Sequence, residues 1–382
     1  MFMKRRHFLK QSGLALAASV LPHTRGSSQH SRSSGRFLEV VRIINAQWYD
    51  ERRSEIVRMA MEAAGARPGR GYNRPLDAQA VANLTLALDF EGQGNDDWAI
   101  KRLVSRMDPW SSYLTPTEWR QYNESLKPSY SGVGMDLERE KDGSFTCWPY
   151  PGSAAAVAGV QPGAKLLSVD GCPVESLSLY AIGAMVRGKR GSPVSLGVSR
   201  FLGLSGSINI LRTPAHSQTV FQTFKDGTQV LRISRFSSGT PGELSALIDS
   251  STPFVELNLT GCRGGDLDAA VEAASLFLPE GALVASIDRV GSQEVLRASG
   301  GRKLLTQLTL HQDGNSASAA EVFIASLVEN RRASSYGSTS LGKATTQDVI
   351  TLRNGGALVL TTGLIHGPSR RSWQSVGLKS SR

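Results

Sequence analysis

"YSGVGMDLEREKDGSFTCWPY", residues 130–150, is where the periodicity of this chain changes. Polar and apolar residues alternate on both sides of the turn Lys141-Asp142-Gly143, which predicts two paired strands with one face buried. Upstream, from Phe37 to Leu126, apolar residues recur at three and four spacing, as in "FLEVVRIINAQWYDERRSEIVRMAMEAAG" and "DDWAIKRLVSRM". That spacing predicts helices, broken once by the loop "ARPGRGYNRP". Downstream, "GSAAAVAGV" reads as a short helix and "QPGAKLLSVDG" as a strand leaving a Pro-Gly turn. "SLSLYAIGAMVRG" then returns to helical spacing, with Leu179, Ile182 and Met185 or Val186 on one side, and "SPVSLGVSR" closes as a strand. These elements make a small β-rich domain, bounded at 128–203.

From Val220 onward strands and helices alternate. "TQVLRISRF", "FVELNLTG", "ALVASIDRV", "QLTLHQDG" and "RASSYGSTS" read as strands, helices run over 241–249, 267–277 and 319–328, and "DVITLRNGGALVLTTG" reads as a final hairpin. Such alternation predicts an α/β core, assigned to 204–382. The helical region is assigned to 36–127, and residues 1–35 form a leader and linker.

The net charge of +10 does not mark a nucleic-acid surface, because six of those charges lie in residues 1–35, which hold no acid. The body carries +4, without a zinc-finger spacing, an aromatic RNA-binding motif or a basic stripe, so no nucleic-acid partner is expected. In the leader, "KRRHFLKQSGLALAASVLP" joins a basic start to an apolar run, Leu14 to Leu21, that is too short to span a bilayer. It resembles a twin-arginine export signal, with Arg5 and Arg6 before His7, Phe8, Leu9 and Lys10; a Sec signal is the alternative. Either implies an exported, periplasmic protein with no integral membrane segment. Cys147, Cys172 and Cys262 show neither CxxC nor metal-ligand spacing; free cysteines are expected, with a Cys147–Cys172 bridge as the alternative. Neither a metal nor a cofactor is expected.

"NSASAAEVF", residues 315–323, places Ser316 and Ser318 before a helix, and a serine hydroxyl needs a neighbouring base to act as a nucleophile. No G-x-S-x-G motif is present. His7, His23 and His30 lie in the leader or linker, leaving His216, His311 and His366; of these His311, seven residues before Ser318, is the best placed alternative base. HExxH is absent, which argues against zinc hydrolysis. Lys343, in "SLGKATTQ", follows Leu341 and Gly342, and no acid occurs between it and Asn330. A neutral lysine near neutral pH needs a depression of roughly three units, about 4 kcal/mol, which burial can supply. The residues alone leave Lys343 either a base or a solvated loop lysine.

The segment from Asp108 to Leu378 resembles the carboxyl-terminal processing peptidases of the S41 type. The landmarks, in the family's order, are "MDPWSSYLTPTEW", "YSGVGMDL", "GSAAAVAGVQPGAKLLSVDG", "RGKRGSPVSLGVSR", "RGGDLDAAVEAASLFLPEG", "SASAAEVF" and "SLGKATTQ". The resemblance implies an exported serine endopeptidase: a crotonase-like α/β protease core with an embedded PDZ-like domain and an N-terminal helical region. It places the nucleophile at Ser318, the general base at Lys343, an orienting glutamine at Gln347 and an acidic residue at Glu329; Ser316 is a helper at most. An acyl-transfer site also needs oxyanion donors, expected from the N–H of Ala319 and from Gly264 or Gly265. In the PDZ-like segment, Gly132, Val133 and Gly134 would supply N–H groups to a peptide carboxylate, and Leu179 and Ile182 would wall an apolar pocket. The implied partners are protein or peptide substrates with apolar C-termini, an adaptor protein and further copies of the chain. The sequence departs from the family at Ala320, at Ala344, and at Asn258 and Thr260, where the family has Asp and Arg. The last pair bears on support of the oxyanion loop, and makes a non-catalytic PDZ scaffold or chaperone the rival reading.

Overall fold

The computed structural model describes residues 34–381, apart from 69–74, 91–95, 127–129, 141, 200–204, 215–217, 250–251 and 300–303. The leader motif and His216 lie outside the described residues. Three apolar cores organise the chain, and each gathers residues whose spacing matches the element carrying them.

The first core belongs to the N-terminal helices Ser34–Gln47, Ile56–Ala63, Ala78–Phe90 and Asp97–Val104. Phe37, Val40, Val41, Ile44 and Trp48 recur on one face and are fully buried. They close not only on each other but on Leu352, Leu358 and Leu360 from the far end of the chain. The helices thus cover a five-stranded antiparallel sheet in which Ala357–His366 pairs with Ser112–Leu114, Thr345–Thr351 and Leu283–Arg289. The final hairpin read from the sequence is there, but its second strand is the centre of a sheet assembled from distant segments.

The second core is the β-rich domain. Strands Met135–Arg139, Phe145–Pro149, Ala164–Val169, Pro193–Ser199 and Ser205–Leu211 form one antiparallel sheet, with Cys172–Pro173 on Ala164–Val169. Val194, Leu196 and Val198 alternate inward on Pro193–Ser199, as period-two patterning requires. The sheet does not stop at residue 203. Ser205–Leu211 pairs along the whole of Pro193–Ser199, because Ile208 and Ile210 supply it with a matching inner face.

The third core is the α/β unit. Thr228–Ile233, Phe254–Asn258, Gln307–Gln312 and Ala333–Gly337 are parallel neighbours, with Val220–Lys225 antiparallel at one edge. Helices Thr240–Leu247, Leu267–Ser275 and Ala319–Glu329 accompany them. In Ala319–Glu329 the residues from Ala319 to Leu327 are all buried, so this helix lies inside the protein rather than on it. It packs on Leu267–Ser275, whose alanines allow the two backbones to approach.

Candidate active site

The strand Gln307–Gln312 and the buried helix Ala319–Glu329 are joined by the turn that carries both candidate serines. Asp313 Oδ1 accepts the N–H groups of Asn315 (3.0 Å) and Gly261 (2.9 Å). Ser316 is fully buried; its hydroxyl donates to Leu259 O (2.8 Å) and accepts from Asp313 N (3.0 Å), and Ala317 N donates to Cys262 O (3.0 Å). Ser316 is therefore a brace of the turn. Ser318 is half-buried and sits at φ 58°, ψ −122°. For a residue with a Cβ this backbone costs on the order of 1–3 kcal/mol, and it has the form of a sharp strand-to-helix elbow built without G-x-S-x-G.

The elbow is pressed against the loop 261–265. A Cβ on Gly264 would stand 2.7 Å from Ala317 O and 2.9 Å from both Ser318 Cβ and Ala319 N, and one on Gly265 would stand 2.2 Å from Phe236 O. Both positions also have positive φ, so glycine is required twice over. Gly264 O accepts from Phe236 N (2.8 Å), and a trans peptide directs the Gly265 N–H the opposite way. The Gly264 N–H instead lies against the Cys262 thiol. Asn258 supports the loop: its Oδ1 accepts Thr260 N (2.9 Å) and Thr260 Oγ1 (2.7 Å), and Cys262 N closes on Leu259 O (3.0 Å). The altered stretch is thus a braced turn.

Glu321, fully buried in the first turn of the helix, joins the two halves of the site. Its Oε2 accepts Ser318 N (2.8 Å) and Lys343 N (2.9 Å); its Oε1 accepts Ser340 Oγ (2.6 Å) and Gly342 N (2.7 Å). One carboxylate oxygen therefore holds the backbones of residues 318 and 343 two hydrogen bonds apart. Burial pushes the Glu321 carboxyl up, and the four donors oppose that shift. Glu329, the acid expected at the site from the resemblance, lies at the other end of the helix and accepts Ser369 N (2.7 Å). The sequence did carry a signal for Glu321, the S-x-x-E spacing of a helix start at Ser318.

Lys343 keeps some exposed surface, yet its amine is set among protein atoms, 5.7 Å from the centre of the Trp110 ring. Burial, then the positive charge of Arg263, lowers its pKa to about 8, while Glu321, Asp108 and Asp136 pull the other way. Trp110 is placed by the Asp108 carboxylate, which accepts Trp110 N (2.9 Å), Ser111 N (2.8 Å), Trp48 Nε1 (3.0 Å) and Thr361 Oγ1 (3.0 Å). Gln347 joins this network, donating to Thr345 Oγ1 (3.1 Å) and Thr361 Oγ1 (3.3 Å). His311 is employed elsewhere: its Nε2 lies 3.4 Å from Glu256 Oε2 and its ring stacks on Tyr336. His366 lies 3.6 Å from Asp288. The three cysteines are free, Cys147 and Cys262 buried and Cys172 exposed, and burial pushes both buried thiols up to about 12.

In the β-rich domain, Gly132 differs from expectation. Its N–H donates to Thr213 O (3.2 Å) and its carbonyl accepts Thr213 N (2.8 Å), so this N–H is already used within the fold. Gly134 has φ 75° and its Cα faces Ser153, where a Cβ would stand 2.5 Å from Ser153 Cβ. Leu179 keeps exposed surface, whereas Ile182 is fully buried with Val133 in the domain core. Arg187, not singled out in the sequence, passes beside Gly132 and has one buried guanidinium nitrogen with no hydrogen-bond partner among the described residues.

The model of Peptidase family S41 matches residues 227–380, and that of the PDZ domain matches residues 145–200. Residues 227–380 belong to peptidase family S41. Similar proteins include the carboxy-terminal processing protease CtpA of Bacillus subtilis, 30% identical over 273 residues, which cover 69% of this chain and 58% of that protein. A probable CtpA-like serine protease of Staphylococcus epidermidis is 31% identical over 273 residues, covering 69% and 55%. The chain spans little more than half the length of these relatives. The fold is shared with the photosystem II D1 C-terminal processing protease, at a TM-score of 0.70 and 20% identity over 91% of this chain and 92% of that one. The S41 unit thus carries the embedded PDZ domain and the N-terminal helices expected from the sequence. No helix among the described residues is long and apolar enough to cross a membrane.

Proposed function

We propose that this S41 protein is an exported serine endopeptidase that holds the C-terminus of a protein substrate at its PDZ domain and cleaves upstream through Ser318 and Lys343. The observation that carries the reading is the shared bond partner: Glu321 Oε2 ties an elbow serine to a lysine whose amine burial has made easy to deprotonate. The neutral Lys343 amine takes the Ser318 hydroxyl proton as Oγ attacks the peptide carbonyl. The N–H groups of Ala319, at the helix start where no helical carbonyl can reach it, and of Gly265 face the developing oxyanion. The Lys343 ammonium then returns the proton to the leaving amine. Water, deprotonated in turn by Lys343, hydrolyses the acyl-enzyme and frees Ser318. Gln347 orders the Thr361–Asp108 network behind Trp110.

With the Lys343 pKa near 8, kcat/KM rises with pH through a midpoint near 8 and levels above it. Stability carries the same sign. The folded chain binds this proton more weakly than the unfolded chain does, so stability lost below pH 8 is regained between about 8 and 10.5. Lys343→Met accordingly raises the melting temperature at pH 7 while removing activity. A flat pH–rate profile from pH 6 to 9, or a lower melting temperature for Lys343→Met at pH 7, contradicts this assignment.

At the PDZ domain, amidating the C-terminus of a peptide substrate raises KM by about tenfold with little change in kcat, since the lost charge faces Val133, Gly134 and Arg187. Equal KM values for acid and amide would remove the carboxylate from the account. The leader supports export, checked by detecting the tagged chain in a periplasmic fraction and losing it there with Arg5→Lys/Arg6→Lys. Incubation with unfolded casein tests the activity as a whole: fragments present with the wild type and absent with Ser318→Ala support the endopeptidase, and casein binding without fragments supports the scaffold.

A further inference from the structure

Arg263 occupies the loop directly before the two required glycines, and three segments converge on its side chain. Its guanidinium stacks over the Trp148 ring at 4.4 Å and ion-pairs with Glu138, both on strands of the PDZ domain. It also donates from Nη1 to Asn315 Oδ1 (3.4 Å), on the turn that leads to Ser318. Only 10% of the side chain is exposed. Nothing about the loop itself requires an arginine here, because the turn is already closed by Asn258, Leu259 and Asp313.

We propose that Arg263 is a positioning residue of the hydrolytic site, fixing the oxyanion loop against the PDZ strands through Glu138 and Trp148 while holding a positive charge toward Lys343. A planar guanidinium suits this place, since it stacks on an indole and pairs with a carboxylate at once, which an ammonium cannot do equally well. The charges facing Lys343 are Arg263 itself, opposed by Glu321 from the helix, Asp108 from the N-terminal region and Asp136 from the PDZ domain. Around Arg263 stand Asp136, Asp313 and Glu321, together with Glu138; burial still lowers its own pKa to about 10. At the pH of catalysis it therefore stays charged. Lys343 in turn loses its proton more readily with Arg263 present.

This inference rests on the proposed hydrolytic role of Ser318 and Lys343, and its test separates the two. The full chain and its Arg263→Gln, Arg263→Lys and Glu138→Gln variants are compared on casein for kcat, KM and the pH profile, and by amide hydrogen exchange over residues 261–266. Arg263→Gln is expected to lower kcat about tenfold or more with KM within twofold, and to move the alkaline-rising limb up by roughly half a pH unit or more. Arg263→Lys keeps the charge, so its limb stays within 0.2 units, on the order of measurement error, while kcat falls partway. Glu138→Gln lowers kcat without raising the limb, because it removes an anchor and leaves the charge. Exchange over 261–266 is expected to quicken about tenfold in Arg263→Gln at unchanged global stability. A variant Arg263→Gln with wild-type kcat, limb and exchange overturns the proposal. If the wild type cleaves nothing, the hydrolytic reading fails by itself, and unchanged exchange then overturns the anchoring as well.

Discussion

Replacing Ser318 by alanine lowers casein cleavage by roughly 10⁴–10⁶-fold, and replacing Lys343 by alanine lowers it by a similar factor. The two losses do not add in the double variant, because a nucleophile without its base and a base without its nucleophile stop the same proton transfer. The folded state survives both changes. Ser318 pays for its elbow with strained backbone at φ 58°, a strain that the Ala319–Glu329 helix and the Gly264 contact maintain whatever side chain is present. Ser316→Ala is the informative contrast. Its hydroxyl is spent on Leu259 O and Asp313 N, so removal costs about 1–3 kcal/mol of stability and leaves the chemical step largely intact. Turnover by Ser318→Ala above a hundredth of the wild-type rate would assign the chemistry to another residue.

Glu321→Ala carries the second large effect, on stability and turnover together. The substitution leaves Ser318 N, Lys343 N, Gly342 N and Ser340 Oγ without their acceptor around a fully buried position. At about 1–3 kcal/mol per unpaired buried group, partly relieved by entering water, the loss is expected near 3–5 kcal/mol, on the order of a 10 °C fall in melting temperature. Turnover falls about 10²-fold or more even where the variant is folded, since residues 318 and 343 lose their common tether. Glu321→Gln conserves volume and keeps one acceptor for two of the four donors, so it falls between alanine and the wild type. Circular dichroism melts and kcat measured below the midpoint check this. A Glu321→Ala variant with unchanged melting temperature and kcat would show that the carboxylate clamp holds nothing.

Local patterning carried the elements well. Val194, Leu196 and Val198 announce a half-buried strand by alternation, and Phe37, Val40, Val41 and Ile44 announce a helix face. What periodicity could not give is which distant segment closes each face. Leu358 and Leu360 end under the N-terminal helices, more than 300 residues from Phe37, because a sheet strand is indifferent to the sequence separation of its cover. At the site, Ser318 and Lys343 were legible because the resemblance matched their segments, whereas Glu321 was readable only as a helix-start residue. Its other three bonds, to Ser340, Gly342 and Lys343, exist only once that loop is packed on the helix. Gly132 shows the limit from the other side. A glycine-rich loop offers N–H groups in sequence, but pairing with Thr213 had already claimed one of them. Arg263 and Trp110 were invisible for the same reason: each acts on Lys343 from a segment far away in the chain.

The account stands most directly on the reactivity of one hydroxyl and the amine that activates it. A fluorophosphonate probe, followed by intact mass and peptide mapping from pH 6 to 10, reads both at once. The expected result is a single adduct on Ser318 whose rate rises with a midpoint near pH 8 and is abolished in Lys343→Ala. An adduct on another residue, or labelling of Ser318 at the same rate without Lys343, would contradict it.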